Sequence, residues 1–171
     1  ELASRVEEAG AAAVTIHGRT AAQSYSGSAD WNLVAEIAQR LTIPVFGSGD
    51  CVEPEQVLQR MALGVSGVLV GRGVLRNPWI LGQAADLVAG RPPRPVTNRD
   101  RGSFLLEYID LLLDDGADER EGFRHRAGET PSSRPARSRD RWVVNKVRAL
   151  CAWYSRGVEG GPALRSRVNT T

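Results

Sequence analysis

The sequence predicts an α/β chain in which parallel βα units fill the first half and a small all-helical segment follows. Three observations carry this. Apolar, β-rich runs break three times into glycine plus a polar or charged residue: Val14-Thr15-Ile16-His17-Gly18-Arg19-Thr20, Val45-Phe46-Gly47-Ser48-Gly49-Asp50 and Val68-Leu69-Val70-Gly71-Arg72-Gly73. The intervals, 30 residues from His17 to Gly47 and 24 from Gly47 to Gly71, are those of a βα unit. The runs are continuously apolar instead of alternating, as in parallel strands buried on both faces. Three units are too few to close a sheet on itself, and they read as the last three of an eight-unit TIM (βα)8 barrel.

The elements follow in order. Leu2, Val6 and Ala9 at helical spacing predict a helix over 1–9, ended by Gly10. A strand over 12–16 leads to a loop through Ser24-Tyr25-Ser26-Gly27-Ser28. Asp30 is placed to cap a helix over 31–40, whose Trp31, Val34, Ile37 and Ala38 share one face with Leu41. A strand over 43–46 carries Pro44 near its start, where a missing N–H is tolerated. Pro54 and Gly64 punctuate a helix over 54–63. A strand over 67–70, a short helical turn to Asn77-Pro78 and a helix over 79–88 complete a first domain, residues 1–90. Arg91-Pro92-Pro93-Arg94-Pro95 begins a linker, 91–98. Residues 99–171 form a helical domain, with apolar periodicity over 99–113 and 140–155 and a short helix over 161–168. The intervening 115–139, rich in Gly, Arg, Ser, Pro and acids, is expected to be a mobile solvated loop.

Composition narrows the function classes. The 171 residues are 42% hydrophobic and 25% charged, values of a globular protein. No apolar run approaches the roughly 20 residues that span a bilayer. Glu1 stands where Met would start a chain, inside an expected helix and without a signal-peptide pattern, so the C-terminal part of a longer protein is expected. Cys51 and Cys151 make no metal pattern and no disulfide framework, and are expected to be reduced in the cytoplasm. Charge is uneven: residues 1–90 sum to −3 and residues 91–171 to +5, which makes the second part the polyanion-facing one.

The glycine turns carry the chemistry. Gly71 at a strand end allows close backbone approach, and Arg72 adds a two-pronged donor for phosphate oxygens; an ordinary βα turn with a surface arginine fits equally well. Gly47-Ser48-Gly49-Asp50 allows several N–H groups to converge on an anion. Asp50 then reads as a cap or as a partner for a ligand hydroxyl, since a carboxylate beside phosphate would repel it. Such paired turns form the phosphate site of many barrel enzymes. His17 ends its strand where barrel residues face the site, or is satisfied by a backbone carbonyl. Cys51 is expected in strand–helix packing and Cys151 in a helix core. Tyr25 is a contact candidate at the same rim, while Trp31 and Trp79 read as structural. His125 reads as a surface residue. Lys146, Arg148, Arg156, Arg165 and Arg167, interleaved with Trp153 and Tyr154, suit an RNA backbone or a solvated charged face.

Taken together, His17-Gly18-Arg19-Thr20, Tyr25-Ser26-Gly27 with Ala29-Asp30-Trp31, Ile43-Pro44-Val45 with Gly47-Ser48-Gly49-Asp50, and Gly67-Val68 with Gly71-Arg72-Gly73 and Asn77-Pro78-Trp79 resemble the tRNA-dihydrouridine synthase family. Trp153-Tyr154 with Gly157, and Leu164-Arg165, resemble the family's helical tail. The resemblance implies a (βα)8 barrel holding FMN and a helical domain gripping tRNA. It implies NADPH as reductant and reduction of a uridine in tRNA to 5,6-dihydrouridine; a monomeric parent, no metal and no membrane are expected alongside it. Carried over by position, Ser48, Gly49, Asp50, Gly71 and Arg72 would bind FMN, with His17 beside the flavin or the base. Arg19 would join that pocket or RNA, and Lys146, Arg148 and Arg165 would contact RNA. Ser48 stands where the family usually has Asn, and Ala149-Leu150 where it often has Lys-His. The family's proton-donating cysteine and a flavin-contacting lysine lie in an earlier part of the barrel, so no catalytic residue is expected here and the fragment alone is expected to be inactive. Another phosphate-binding or flavin barrel, or a non-catalytic RNA-binding remnant, are the rival readings.

Overall fold

The computed structural model describes residues 1–114 and 139–170. The chain divides into two compact units, Glu1–Arg94 and Pro95–Thr171. The boundary falls within the 91–98 stretch.

In the first unit three strands, β1 (Val14–His17), β2 (Val45–Ser48) and β3 (Gly67–Leu69), form a parallel sheet in the order β1-β2-β3. Neighbours in sequence are thus neighbours in space. The first two strands start two residues later than the sequence indicated. Pro44 cannot donate to a ladder, and its carbonyl serves only as acceptor for the Val14 N–H at 3.0 Å. At the other end the ladder continues through polar residues, pairing His17 directly with Ser48. The register therefore sets the two chemically interesting strand ends side by side.

Helices α1 (Leu2–Glu8), α2 (Trp31–Arg40), α3 (Pro54–Met61), α4 (Arg72–Arg76) and α5 (Ile80–Val88) alternate with the strands and close the unit. Asp30 caps α2, accepting from the Leu33 N–H at 2.9 Å. Pro54 opens α3, and the Gln56 side-chain oxygen accepts from the Val52 and Glu53 N–H groups. The core gathers Trp31, Val34, Cys51 and Val65, with Ile16, Ala38 and Val57 packed around them. Burying such side chains stabilises by roughly 1.5–3 kcal/mol each. Polar clips fix the periphery. Glu7 on α1 accepts from the Thr42 N–H and hydroxyl, both at 2.7 Å, and from the Ile43 N–H, just before β2. The Thr42 bonds hold its carboxyl below the usual range. Asp86 on α5 holds Arg91 at 2.8 Å and Arg94 at 3.7 Å, while Gln83 donates to the Arg94 carbonyl, so the unit's last residues are pinned to α5.

The described elements of the second unit are all helical: α6 (Asn98–Asp114), α7 (Arg139–Tyr154) and α8 (Gly161–Thr170). Helix α7 packs against both α6 and α8. It buries Val143, Cys151 and Tyr154. The Tyr154 ring stacks on Phe104 of α6, and its hydroxyl donates to the Arg101 carbonyl at 2.9 Å. The loop expected at 115–139 lies outside the described residues except for Arg139, which opens α7. Among the described residues no helix is long and apolar enough to cross a membrane.

Candidate functional site

The turns at the carboxyl ends of β1 and β2 are stitched together by hydrogen bonds, and an ion pair links the β3 turn to them. The Gly18 N–H donates to the Ser48 carbonyl at 3.1 Å, and the Gly18 carbonyl accepts from the Asp30 N–H at 2.6 Å. His17 Nδ1 and Ser48 Oγ lie 3.2 Å apart, as their register requires. The β2 turn then bends sharply: Gly49 has φ +129° and Asp50 φ +50°. The first value is open to glycine, and Asp is among the few residues that tolerate the second. The indole N–H of Trp31 donates to the Gly49 carbonyl at 2.9 Å, so a core side chain anchors the turn.

Asp50 is the hub. Its Oδ2 accepts from Arg19 Nη2 at 2.7 Å and from the Ala29 N–H at 2.6 Å. Its Oδ1 faces Arg72 Nη2 at 3.8 Å. Burial pushes the Asp50 carboxyl up, but the Ala29 bond and the two guanidinium groups outweigh it and hold the carboxyl below the usual range. Asp50 therefore stays ionised and serves as counter-ion to two arginines, leaving the cluster with one surplus positive charge. Arg19 is turned inward, its side chain 2% exposed, and also donates to the Ser26 and Gly27 carbonyls at 3.2 and 2.7 Å.

Arg72 faces outward. It is 35% exposed, and its guanidinium carbon lies 4.2 Å from the ring centroid of Tyr25, which is itself 70% exposed. Stacking on an exposed aromatic holds a long side chain extended. The space where a Cβ on Gly71 would stand is open, so the backbone there is approachable.

The structure thus brings His17, Ser48, Gly49, Asp50 and Arg72 together at one end of the sheet, with Gly71 beside Arg72. Two expectations change. Asp50 caps no helix, because α3 begins after Glu53, three residues on. Arg19, expected in the pocket or on RNA, is turned inward as the partner of Asp50. Cys51 and Trp31 are in the core, and burial pushes the Cys51 thiol up. The Arg19–Asp50 pairing went unread because 31 residues separate its members; the one available signal was that an aspartate beside an anion site needs its own cation. Among the described residues no cluster of three metal-ligating side chains forms.

The basic residues of the second unit separate into two kinds. Arg148 donates from Nε to the Val168 carbonyl at 3.0 Å, and Arg165 from Nη1 to the Ser155 hydroxyl at 2.7 Å, so both tie α8 to α7 and the turn after it. Lys146 is exposed, with its ammonium 5.2 Å from the Trp142 ring centroid. Arg156, also exposed, lies 4.2 Å over Trp153.

Comparison with known proteins identifies the family. The family profile for dihydrouridine synthases (Dus) matches residues 1–91. A probable tRNA-dihydrouridine synthase of Mycobacterium leprae is 36% identical over 97% of the chain, and one of Mycobacterium tuberculosis (strain CDC 1551 / Oshkosh) 38% identical over 95%. The tRNA-dihydrouridine synthase B of Pseudomonas syringae pv. tomato is 36% identical over 65% of the chain. The chain spans 38%, 37% and 34% of the length of these three relatives.

Proposed function

The chain belongs to the dihydrouridine synthase family, and from that premise we propose that its strand ends are the phosphate-binding part of an FMN site in a cytoplasmic enzyme that reduces uridine in tRNA to 5,6-dihydrouridine with NADPH. The sequential parallel order of the strands supports reading them as consecutive units of a TIM (βα)8 barrel. One observation carries the site: a single ionised carboxylate shared by two guanidinium groups, beside the open backbone of Gly71. That surplus charge and that approachable turn fit a phosphate monoester.

In this reading Arg72 grips phosphate oxygens, and Ser48, Gly49 and Gly71 supply shorter-range polar contacts. Asp50, locked by Arg19, keeps Arg72 directed without quenching its charge. His17, bonded to Ser48, lies at the inner edge of the site. Bound FMN would supply the hydride. Cys51 is not proposed as a proton donor, because it is 4% exposed and packed among Trp31, Val34 and Val65.

The test is Arg72→Ala in the full-length protein. FMN affinity is expected to fall about tenfold or more, the worth of one charge-assisted hydrogen bond, and dihydrouridine formed in tRNA with NADPH should fall with it. Unchanged FMN affinity would overturn the placement. A colourless parent would favour a non-flavin phosphate-binding barrel, and a flavin-containing parent inert towards tRNA uridine would favour another flavin oxidoreductase.

A further inference from the structure

The loop between β1 and α2 displays one large aromatic ring, Tyr25, and is fixed on both sides of it. Before the ring, the Gln23 side-chain oxygen accepts from the Thr20 N–H at 2.8 Å, and Ser24 takes φ +48°, a conformation uncommon outside glycine. After it, the Ser26 N–H and hydroxyl both donate to the Gln23 carbonyl, at 2.8 and 2.7 Å. The buried Arg19 guanidinium donates to the Ser26 and Gly27 carbonyls, and the Ala29 N–H donates to Asp50. Tyr25 is nonetheless 70% exposed. So exposed a ring adds little to the core; what the loop fixes is its position.

That position is against Arg72, whose guanidinium carbon lies 4.2 Å from the ring centroid. Stacking engages the face of a guanidinium, while its N–H donors point outward from the rim, in the plane. The relation of Arg72 to Asp50 is looser than that of Arg19. Arg19 Nη2 reaches Asp50 Oδ2 at 2.7 Å, a charge-assisted hydrogen bond, whereas Arg72 Nη2 stands 3.8 Å from Oδ1, an ion pair outside hydrogen-bond range. Two cations thus face one carboxylate, and the inner one alone closes on it. An Arg72 that closed on Oδ1 as well would give up part of its stack on the ring.

We propose that Tyr25 is a positioning residue for the anion site: its ring holds Arg72 short of Asp50, so that the charge of the guanidinium is offered to a phosphate monoester instead of being neutralised by the carboxylate. This rests on the reading of Arg72 as the phosphate ligand of the site. It gives Tyr25 a role through Arg72 and not through a contact of its own with the flavin ring or a base.

The test compares FMN with riboflavin, which lacks the phosphate, in binding to the full-length protein. The ratio of the two affinities isolates the phosphate contact. Tyr25→Ala should lower the preference for FMN about twofold to fivefold, the worth of one exposed cation–π contact, and leave riboflavin affinity unchanged. Tyr25→Leu, which keeps bulk without a π face, should behave as Tyr25→Ala does, and Tyr25→Phe, which keeps the face, should restore the wild-type preference. In an Arg72→Ala background Tyr25→Ala should change nothing further, because the ring acts through that arginine. An unchanged preference in Tyr25→Ala would overturn the inference. So would an equal loss for FMN and riboflavin that persists without Arg72, the mark of a ring that touches the ligand itself. A wild-type preference in Arg72→Ala would instead overturn the placement of the phosphate, and the inference with it.

Discussion

The two units use arginine in opposite ways. In the first, Arg19 is pulled inside by long-range partners: Asp50 lies 31 residues away and the Ser26 and Gly27 carbonyls complete its shell. In the second, Arg148, Arg156 and Arg165 bond to carbonyls or hydroxyls of α7, α8 or the turn between them, and Arg156 stays on the surface over an indole. An arginine among strand ends is a framework element whose loss deforms a site. One on a helix pair is a local brace or a contact. The difference is one of contact range, and it sets how far each substitution propagates.

The largest effect is expected where backbone meets backbone in the first unit. Gly73 on α4 packs on the Cys51 carbonyl, and an added Cβ would strike that carbonyl as well as Val70. A carbonyl cannot rotate aside as a side chain can. Gly73→Ala should therefore cost about 3 kcal/mol or more, read as a drop in urea midpoint, and should displace Arg72 and weaken FMN binding. A neutral outcome would mean that the α4 turn is free to shift and that the site is less framed than its hydrogen bonds imply.

Next in size comes Arg19→Met. It keeps the aliphatic stem but leaves Asp50 with the Ala29 N–H and the more distant Arg72. Asp50 is 30% exposed, so the loss is screened and should be about 2 kcal/mol, below the range for fully buried pairs. The pH sign follows from the lowered Asp50 pKa. Its contribution is present above the unfolded value, about pH 4, and is lost as pH falls through the folded value below that. The wild type should thus lose part of its stability below about pH 4, and Arg19→Met should lose less there. Adding Asp50→Asn to Arg19→Met should cost less than Asp50→Asn alone; full additivity in urea melts would show that the pair is not coupled.

This contrast also explains what the sequence made legible. The βα alternation was readable because Asp30, Pro54, Gly64 and Gly71 are local punctuation, and local chemistry is all that periodicity detects. Strand ends were misplaced by one or two residues because His17 and Ser48 look like turn residues yet still pair. The polar members of the site were nameable because glycine turns advertise themselves. Arg19's inward pairing with Asp50 was not legible, because a charge next to a strand end looks the same whether it faces inward or outward, and its partner lies 31 residues away. Lys146 and Arg148 were indistinguishable for the same reason: two residues apart on a helix, they face different neighbours.

The smallest effect at neutral pH, and the one that tests the second unit at its centre, is expected for Tyr154→Phe. The ring stacks on Phe104 and would be kept, while the bond from the hydroxyl to the Arg101 carbonyl is lost. A single neutral hydrogen bond of this kind is worth about 1 kcal/mol. Alkaline pH magnifies the difference. Burial, partly offset by the nearby Arg101 charge, pushes the Tyr154 phenol up to about 12. A group whose folded pKa is raised contributes stability that is complete below its unfolded value, about 10, and vanishes as pH rises through the folded one. The α6–α7 packing should therefore weaken between about pH 10 and 12 in the wild type, and Tyr154→Phe should flatten that limb while costing little at pH 7. Ultraviolet titration should show one phenol ionising late and cooperatively with loss of helicity. An early, independent titration of all three tyrosines would mean that Tyr154 is not the buried joint between α6 and α7, and the second unit would then be held mainly by the arginine braces of α7 and α8.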